Sequence, residues 1–136
     1  MPIASPEPSA SDLPALITLP SGSSALYRSA ASGAGHLLRV ALRDGEHEQR
    51  VLRAEFELRG DLDPAWAAVP IEQIRVGSRA ALLLSDPGGR PLSTFMRQPG
   101  GIGEFLRLAA SAGRALAALH ARGRSHGGLT PDSLLV

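Results

Sequence analysis

Apolar and polar positions change period several times along the chain, and each change marks an element. Apolar runs from Leu16 to Pro20 and from Ala25 to Ala30 flank Ser21-Gly22-Ser23-Ser24, the pattern of two strands about a glycine-containing turn. Ala31 to Gly35 reads as a second turn and His36 to Leu42 as a third strand. Asp44-Gly45 breaks that strand, and Glu46 to Leu62 takes a helical period with Val51, Leu58 and Leu62 on one face. Asp63-Pro64 ends the helix, because proline disfavours helical geometry in the residue before it. Val69 to Val76 and Arg79 to Leu84 form a strand pair about Gly77-Ser78, and Ser85-Asp86-Pro87-Gly88-Gly89 reads as a turn or hinge.

Beyond the hinge, Pro91 to Met96 predicts one short helical turn. The clearest element is a helix from Ile102 to Ala121. Ile102, Phe105, Leu106, Ala109, Ala112, Leu116 and Leu119 keep the three-and-four spacing, and Gly123 stands where a helix stops. Ser125 to Val136 reads as a loop leading into Leu134-Leu135-Val136. Residues 1 to 14, rich in Pro, Ser and Ala, predict a disordered leader. The order of elements is that of an α+β fold, with residues 15 to 85 as one portion and 86 to 136 as a second.

Glu55 breaks the pattern. It falls on the apolar face of the first helix, four, three and seven residues from Val51, Leu58 and Leu62. A carboxylate there either lies at the edge of the stripe and reaches water, or it is buried and needs a partner.

Composition narrows the chemistry. With 43% hydrophobic residues but only 4% aromatic, a core has to be built from Leu, Ala and Val. Fourteen basic and thirteen acidic residues leave a net charge of +1, which gives no electrostatic reason to expect a nucleic acid or an anionic membrane as partner. All the basic residues are arginine, so any mechanism built on a lysine is excluded within these residues. The absence of cysteine excludes disulfides, thiolate metal sites and cysteine nucleophiles. His36, His47, His120 and His126 show no metal-ligand spacing. No secretory leader or membrane-length apolar run is present, which predicts a cytoplasmic chain without membrane insertion.

The last 32 residues carry a family resemblance. Phe105 to Gly123, closing on Leu119-His120-Ala121-Arg122-Gly123, resembles the long protein-kinase helix that ends in an LH-x-x-G signature. His126 to Val136 lies over the kinase catalytic loop, matching its framework at His126, Leu129, Pro131 and Leu134-Leu135-Val136. The reactive positions differ. The resemblance puts Gly128 where the family has its catalytic aspartate, Thr130 where it has a lysine and Ser133 where it has a metal-binding asparagine. Gly127 replaces an arginine. Glycine cannot accept a proton, threonine carries no charge, and serine is a shorter ligand than asparagine. No phosphotransfer is expected, and His126 is expected to be structural.

The same resemblance implies a kinase small lobe before the hinge. Glu55 is similar to the family's helix glutamate, and Arg39 is the first candidate for the strand lysine that pairs with it, with Arg43 as rival. An Arg39–Glu55 pair would explain the carboxylate in the apolar stripe. Gly22 stands where the family has a glycine-rich phosphate loop, although one glycine in a hairpin serves equally as a turn residue. Asp86 belongs to a hinge that in the family receives adenine through backbone groups. Gly22, Arg39, Glu55 and Asp86 are therefore the candidate cofactor-binding residues, for ATP and magnesium if for anything.

Leu52 to Leu58 and Ala81 to Leu92 also resemble the kinase-like module at the N-terminus of large bacterial sensor histidine kinases. That resemblance implies a non-catalytic signalling fragment whose partners are neighbouring domains or proteins. An atypical Ser/Thr kinase drawing catalytic groups from beyond Val136, and a small α+β domain unrelated to kinases, remain the alternatives. With most of the large lobe missing, the long helix should expose an apolar face, from which self-association is expected.

Overall fold

The computed structural model describes residues 15–18, 24–28, 35–98 and 100–136. Five strands form: β1 (Ala15–Thr18), β2 (Ser24–Arg28), β3 (His36–Ala41), β4 (Pro70–Val76) and β5 (Arg79–Ser85). They make one antiparallel sheet in the order β1-β2-β3-β5-β4. Helix α1 (Glu46–Glu57) fills the connection between β3 and β4, so β5 pairs with β3 and β4 becomes an edge. The fold class is α+β, as the sequence implies. The expected leader, Gly22 and the turn preceding Gly35 lie outside the described residues.

Alternation along β3 divides the sheet into two faces. Leu37 and Ala41 join Leu82 and Leu84 of β5 and Leu52 of α1 in one buried cluster. Leu38, Val40 and Ala81 form a second cluster on the opposite face, with Tyr27, Ile74 and Val76 against it. Both faces of β3 and β5 are thus apolar, which is why these strands read as near-continuous hydrophobic runs. Leu82, fully buried, sits at the centre of the first cluster. At the edge, β4 starts on Pro70, where no ladder donor is needed, and its register shifts between Pro70 and Glu72. Ile71, in that irregularity, is left exposed.

Two features of α1 differ from expectation. The α-helix stops at Glu57 and tightens into a 3-10 turn over Leu58–Asp61, and the chain is extended at Leu62. Gly60 lies in that turn, a residue that stabilises helix poorly. The buried stripe is also rotated: Leu52 is buried and Phe56 packs on the same cluster, whereas Val51 is exposed. Glu55 shares the face of Leu52 and Phe56, three and one residues away, rather than a Val51–Leu58–Leu62 stripe. Periodicity identified the helix, but only the sheet beneath it selects the face that is buried.

After the hinge, α2 (Leu92–Phe95) is the single turn predicted, and α3 (Ile102–His120) is the long helix. Of the apolar positions at three-and-four spacing in α3, Leu119 is buried, but Ile102 is 76% exposed, Phe105 64% and Leu106 57%. The helix is held near its C-terminal end, and its N-terminal half presents the exposed apolar face that was anticipated.

The C-terminal residues return to the hinge. Arg90 N–H donates to Val136 O at 2.8 Å and Val136 N–H donates back to Arg90 O at 2.8 Å, while Leu92 N–H donates to Leu134 O at 2.8 Å. Leu135 thereby packs against the first cluster. This pairing needs glycine at position 89: φ is +77°, and a Cβ there would stand 2.6 Å from Val136 O. A left-handed backbone strains any side chain by about 1–3 kcal/mol. Gly89→Ala is therefore expected to destabilise the fold by about that amount and to speed amide exchange at Arg90, Leu92 and Val136 selectively. Unchanged exchange at those three amides would show that the pairing does not form.

Candidate functional site

One face of the sheet gathers the residues of interest. Cross-strand partners share a face, so the register Ser24↔Ala41, Leu26↔Arg39 and Arg28↔Leu37 aligns Ser24, Leu26 and Arg28 of β2 with Leu37, Arg39 and Ala41 of β3. The pairs Arg39↔Leu82 and Leu37↔Leu84 extend that face onto β5. Helix α1 covers its inner end, the hinge borders its outer end, and Leu135 approaches it from the C-terminal segment.

Arg39 and Glu55 meet on this face. The guanidinium Nη1 donates to Glu55 Oε2, and Nε donates to Ser24 Oγ at 3.1 Å. The two charged side chains are 22% and 25% exposed, and Ser24 is buried. Arg43, the rival, lies past the end of β3 and is exposed. The planar fork of arginine lets one side chain hold both a carboxylate on α1 and a hydroxyl on β2. Burial pushes the Glu55 carboxyl above the ordinary glutamate range, and the charge and hydrogen bond of Arg39 oppose that rise without cancelling it. Beside this network, Ser24, Arg39, Ala41, His47, Glu48, Val51 and Leu52 line a small half-open cleft of about 10 Å³.

Asp86 is tied down at the hinge. Arg28 grips it with two parallel bonds, Nε to Oδ2 at 2.6 Å and Nη2 to Oδ1 at 2.9 Å. Gly88 N–H also donates to Oδ1, at 2.8 Å. These bonds, the Arg28 bond first, hold the Asp86 carboxyl below its ordinary range although burial works against them. The hinge backbone is similarly engaged. Ser85 N–H donates to Val69 O, Asp86 N–H to Gly35 O, and Arg90 N–H to Val136 O, while Pro87 has no N–H. The donors with which a hinge could receive a ring ligand at Ser85, Asp86, Gly88 and Arg90 are thus spent within the chain.

The segment that resembles the kinase catalytic loop in sequence forms a self-contained turn. Thr130 N–H donates to Ser133 Oγ at 2.8 Å, and the Ser133 hydroxyl donates to Thr130 O at 2.7 Å. Together they cap the 3-10 turn Pro131–Ser133. Gly128 supplies no side chain, and His126 is exposed. Among the described residues, no group of three His, Asp or Glu side chains is placed to hold a metal ion. A neutral hydroxyl already committed to its own turn is a poor magnesium ligand, so the residues at this loop do not fit the metal that the kinase resemblance implies.

Ser24 and Arg28 were not singled out in the sequence. Arg28 lies 58 residues from Asp86, and no local pattern links them; only the sheet register brings them together. Ser24 lies in the polar run that reads simply as a turn.

Two pH dependences follow. The low carboxyl pKa of Asp86 contributes stability that is present above the ordinary aspartate value and lost as pH falls through the depressed folded one. Asp86→Asn should cost about 1.5–3 kcal/mol at neutral pH. It should also flatten the acid limb of a stability profile below about pH 4. Glu55 has the opposite sign. Its raised pKa favours the folded state at low pH, and that contribution is lost as pH rises through the folded value. Glu55→Gln should therefore change neutral-pH stability little, whereas Arg39→Leu strands a carboxylate and should cost about 1–3 kcal/mol. Urea unfolding at pH 4 and pH 7 checks this: the Arg39→Leu loss should be larger at pH 7 than at pH 4, and no loss at pH 7 would rule out the pairing.

No protein-family model matches the sequence. No curated protein matches it either. Solved structures do. The kinase domain of PknI from Mycobacterium tuberculosis superposes with a TM-score of 0.59 at 18% identity, over 82% of this chain and 47% of its own. A second structure of that domain gives 0.58 at 18% identity, over 82% and 48%. A doubly substituted form gives 0.60 at 16% identity, over 82% and 47%. The chain thus spans about half the length of the solved domains it matches. The sheet with its single covering helix, the hinge and the long helix after it have the fold of a protein kinase's small lobe followed by the opening part of its large lobe.

Proposed function

We propose that this chain is a non-catalytic, kinase-like signalling module that works through contacts with neighbouring domains or protein partners. On this reading, residues 15–85 are the small-lobe portion and 86–136 the hinge and the start of the large lobe. The observation that carries it is the catalytic-loop segment. Gly128, Thr130 and Ser133 stand at the three positions that need an acid, a cation and a metal ligand, and the Ser133 hydroxyl closes its own turn. The engaged hinge donors and the Arg39–Ser24–Glu55 network support the same reading, because they commit these groups to partners within the chain. Among the described residues no helix is long and apolar enough to cross a membrane. A cytoplasmic setting within a larger two-component sensor kinase fits the sequence resemblance.

One observation favours a second reading. The strand cation and helix carboxylate are paired, as a working kinase requires, and the matched solved structures are described as kinase domains. An atypical ATP-dependent Ser/Thr kinase would retain that pair and supply its acid and metal ligands from elsewhere. Incubating the longest available form of the protein with γ-labelled ATP and magnesium separates the two. No phosphate transfer is expected, to itself or to a generic acceptor, and no nucleotide-dependent rise in melting temperature. Transfer that disappears in Glu55→Gln would establish the second reading and overturn the first.

A further inference from the structure

The turn between β4 and β5 places charge and a hydroxyl together at the surface. Val76 pairs with Arg79, so Gly77 and Ser78 form a two-residue loop, with Gly77 at φ +62°. Glycine followed by serine is an ordinary sequence for such a loop, so the turn accounts for both residues. It does not account for their surroundings. The Ser78 hydroxyl donates to Asp44 Oδ2 at 2.7 Å, and Arg75 Nη1 donates to Ser78 O at 3.1 Å. Asp44, Arg75, Ser78 and Arg79 are all exposed. Among the described residues, neither Arg75 nor Arg79 forms an ion pair.

Serine with arginine three residues before it occurs at Arg75–Ser78, Arg90–Ser93 and Arg122–Ser125. That spacing suits the acceptor of a protein kinase whose substrate groove is acidic, because arginine is always charged and its fork pairs with carboxylates. The structure separates the three. Ser93 is half-buried within α2, beside the Arg90–Val136 pairing. Ser125 follows the left-handed turn at Gly123 (φ +72°), and both arginines before it are engaged. Arg122 lies 5.2 Å from the Trp66 ring centroid, and Arg124 Nε donates to Asp61 Oδ2 at 2.9 Å. Of the three, Ser78 alone stands at a turn tip with exposed arginines on both sides.

We propose that Ser78 is a phosphorylation site, the acceptor of a separate, arginine-directed Ser/Thr protein kinase. The Ser78 oxygen attacks the γ-phosphorus of ATP and the bond from that phosphorus to the β,γ-bridging oxygen breaks. ADP leaves, and the hydroxyl proton passes to the base of that kinase. The product reverses the local electrostatics. The hydroxyl that donated to Asp44 becomes an ester oxygen carrying a group of charge about −1.5 to −2, which repels that carboxylate. Arg75 and Arg79 supply the guanidinium groups that a phosphate takes in charge-assisted bonds. The tie from the β4–β5 turn to Asp44 is thus exchanged for a phosphate–arginine cluster within the hairpin. The chain receives phosphate in this step, so the inference stands under either reading of its own catalysis.

The chain should be incubated with γ-labelled ATP and a Ser/Thr kinase selective for arginine three residues before its acceptor. Peptide mass mapping should place the label on Ser78, and omitting the kinase should abolish it. Ser78→Ala should remove the label, Ser93→Ala and Ser125→Ala should leave it, and Arg75→Gln should slow labelling about tenfold, the loss of one charge-assisted contact. Mapping on the unsubstituted protein decides the site even where a variant fails to fold. In the phosphorylated protein, a phosphorus-31 titration should put the second phosphate pKa below its ordinary value of about 6. Urea, or Arg75→Gln/Arg79→Gln, should restore that value. No label, or label only at Ser93 or Ser125, would overturn the proposal. Label at Ser78 without the added kinase would assign the transfer to the chain itself and overturn the separate-kinase step. A phosphate pKa at its ordinary value in the folded protein would show that the arginines do not hold the product.

Discussion

A carboxylate on the buried face of a helix constrains everything placed around it. Glu55 lies beside Leu52 and Phe56 over an apolar sheet, where desolvation disfavours its charge. One cation on that face can meet it, and it must come from a strand whose alternation points it towards α1. Arg39 does so because Leu37 and Ala41, two residues to either side, are the buried anchors of β3. Shifting β3 by one residue would bury Leu38 and Val40 under α1 and turn Arg39 away. The pair therefore fixes strand register, helix rotation and, through Ser24, the position of β2 together.

The hinge is fixed by the same logic. Arg28 lies on the same face as Arg39, nearer the outer end, and draws Asp86 down to β2. Two arginines on one face of the sheet thus hold the elements that a kinase fold would use to enclose a nucleotide, and each is committed to a carboxylate of the chain itself. Buried or half-buried pairs of this kind add little net stability over apolar packing, but breaking one side is costly. Their effect is to specify a single arrangement.

The C-terminal segment completes that arrangement. It places Leu135 against the core and Val136 against the hinge. The backbone path is kept by hydrogen bonds and apolar packing that do not need reactive side chains.

Much of this was legible in the sequence. The strand and helix runs, the hinge at Ser85 to Gly89, the kinase-like order and the Arg39–Glu55 pairing follow from period, turn chemistry and motif, all of which act over a few residues or one family pattern. Three things did not. The buried stripe of α1 was rotated onto Leu52 and Phe56, because a helix with apolar residues on several sides is turned by whatever it packs against. Asp86 found Arg28, and Asp61 and Trp66 found the arginines after α3, across separations of about sixty residues. Local sequence determined which elements could form. Tertiary structure alone decided which charges met, because the partner of an ion is chosen by strand register and by the turn at Gly123, and neither leaves a local pattern.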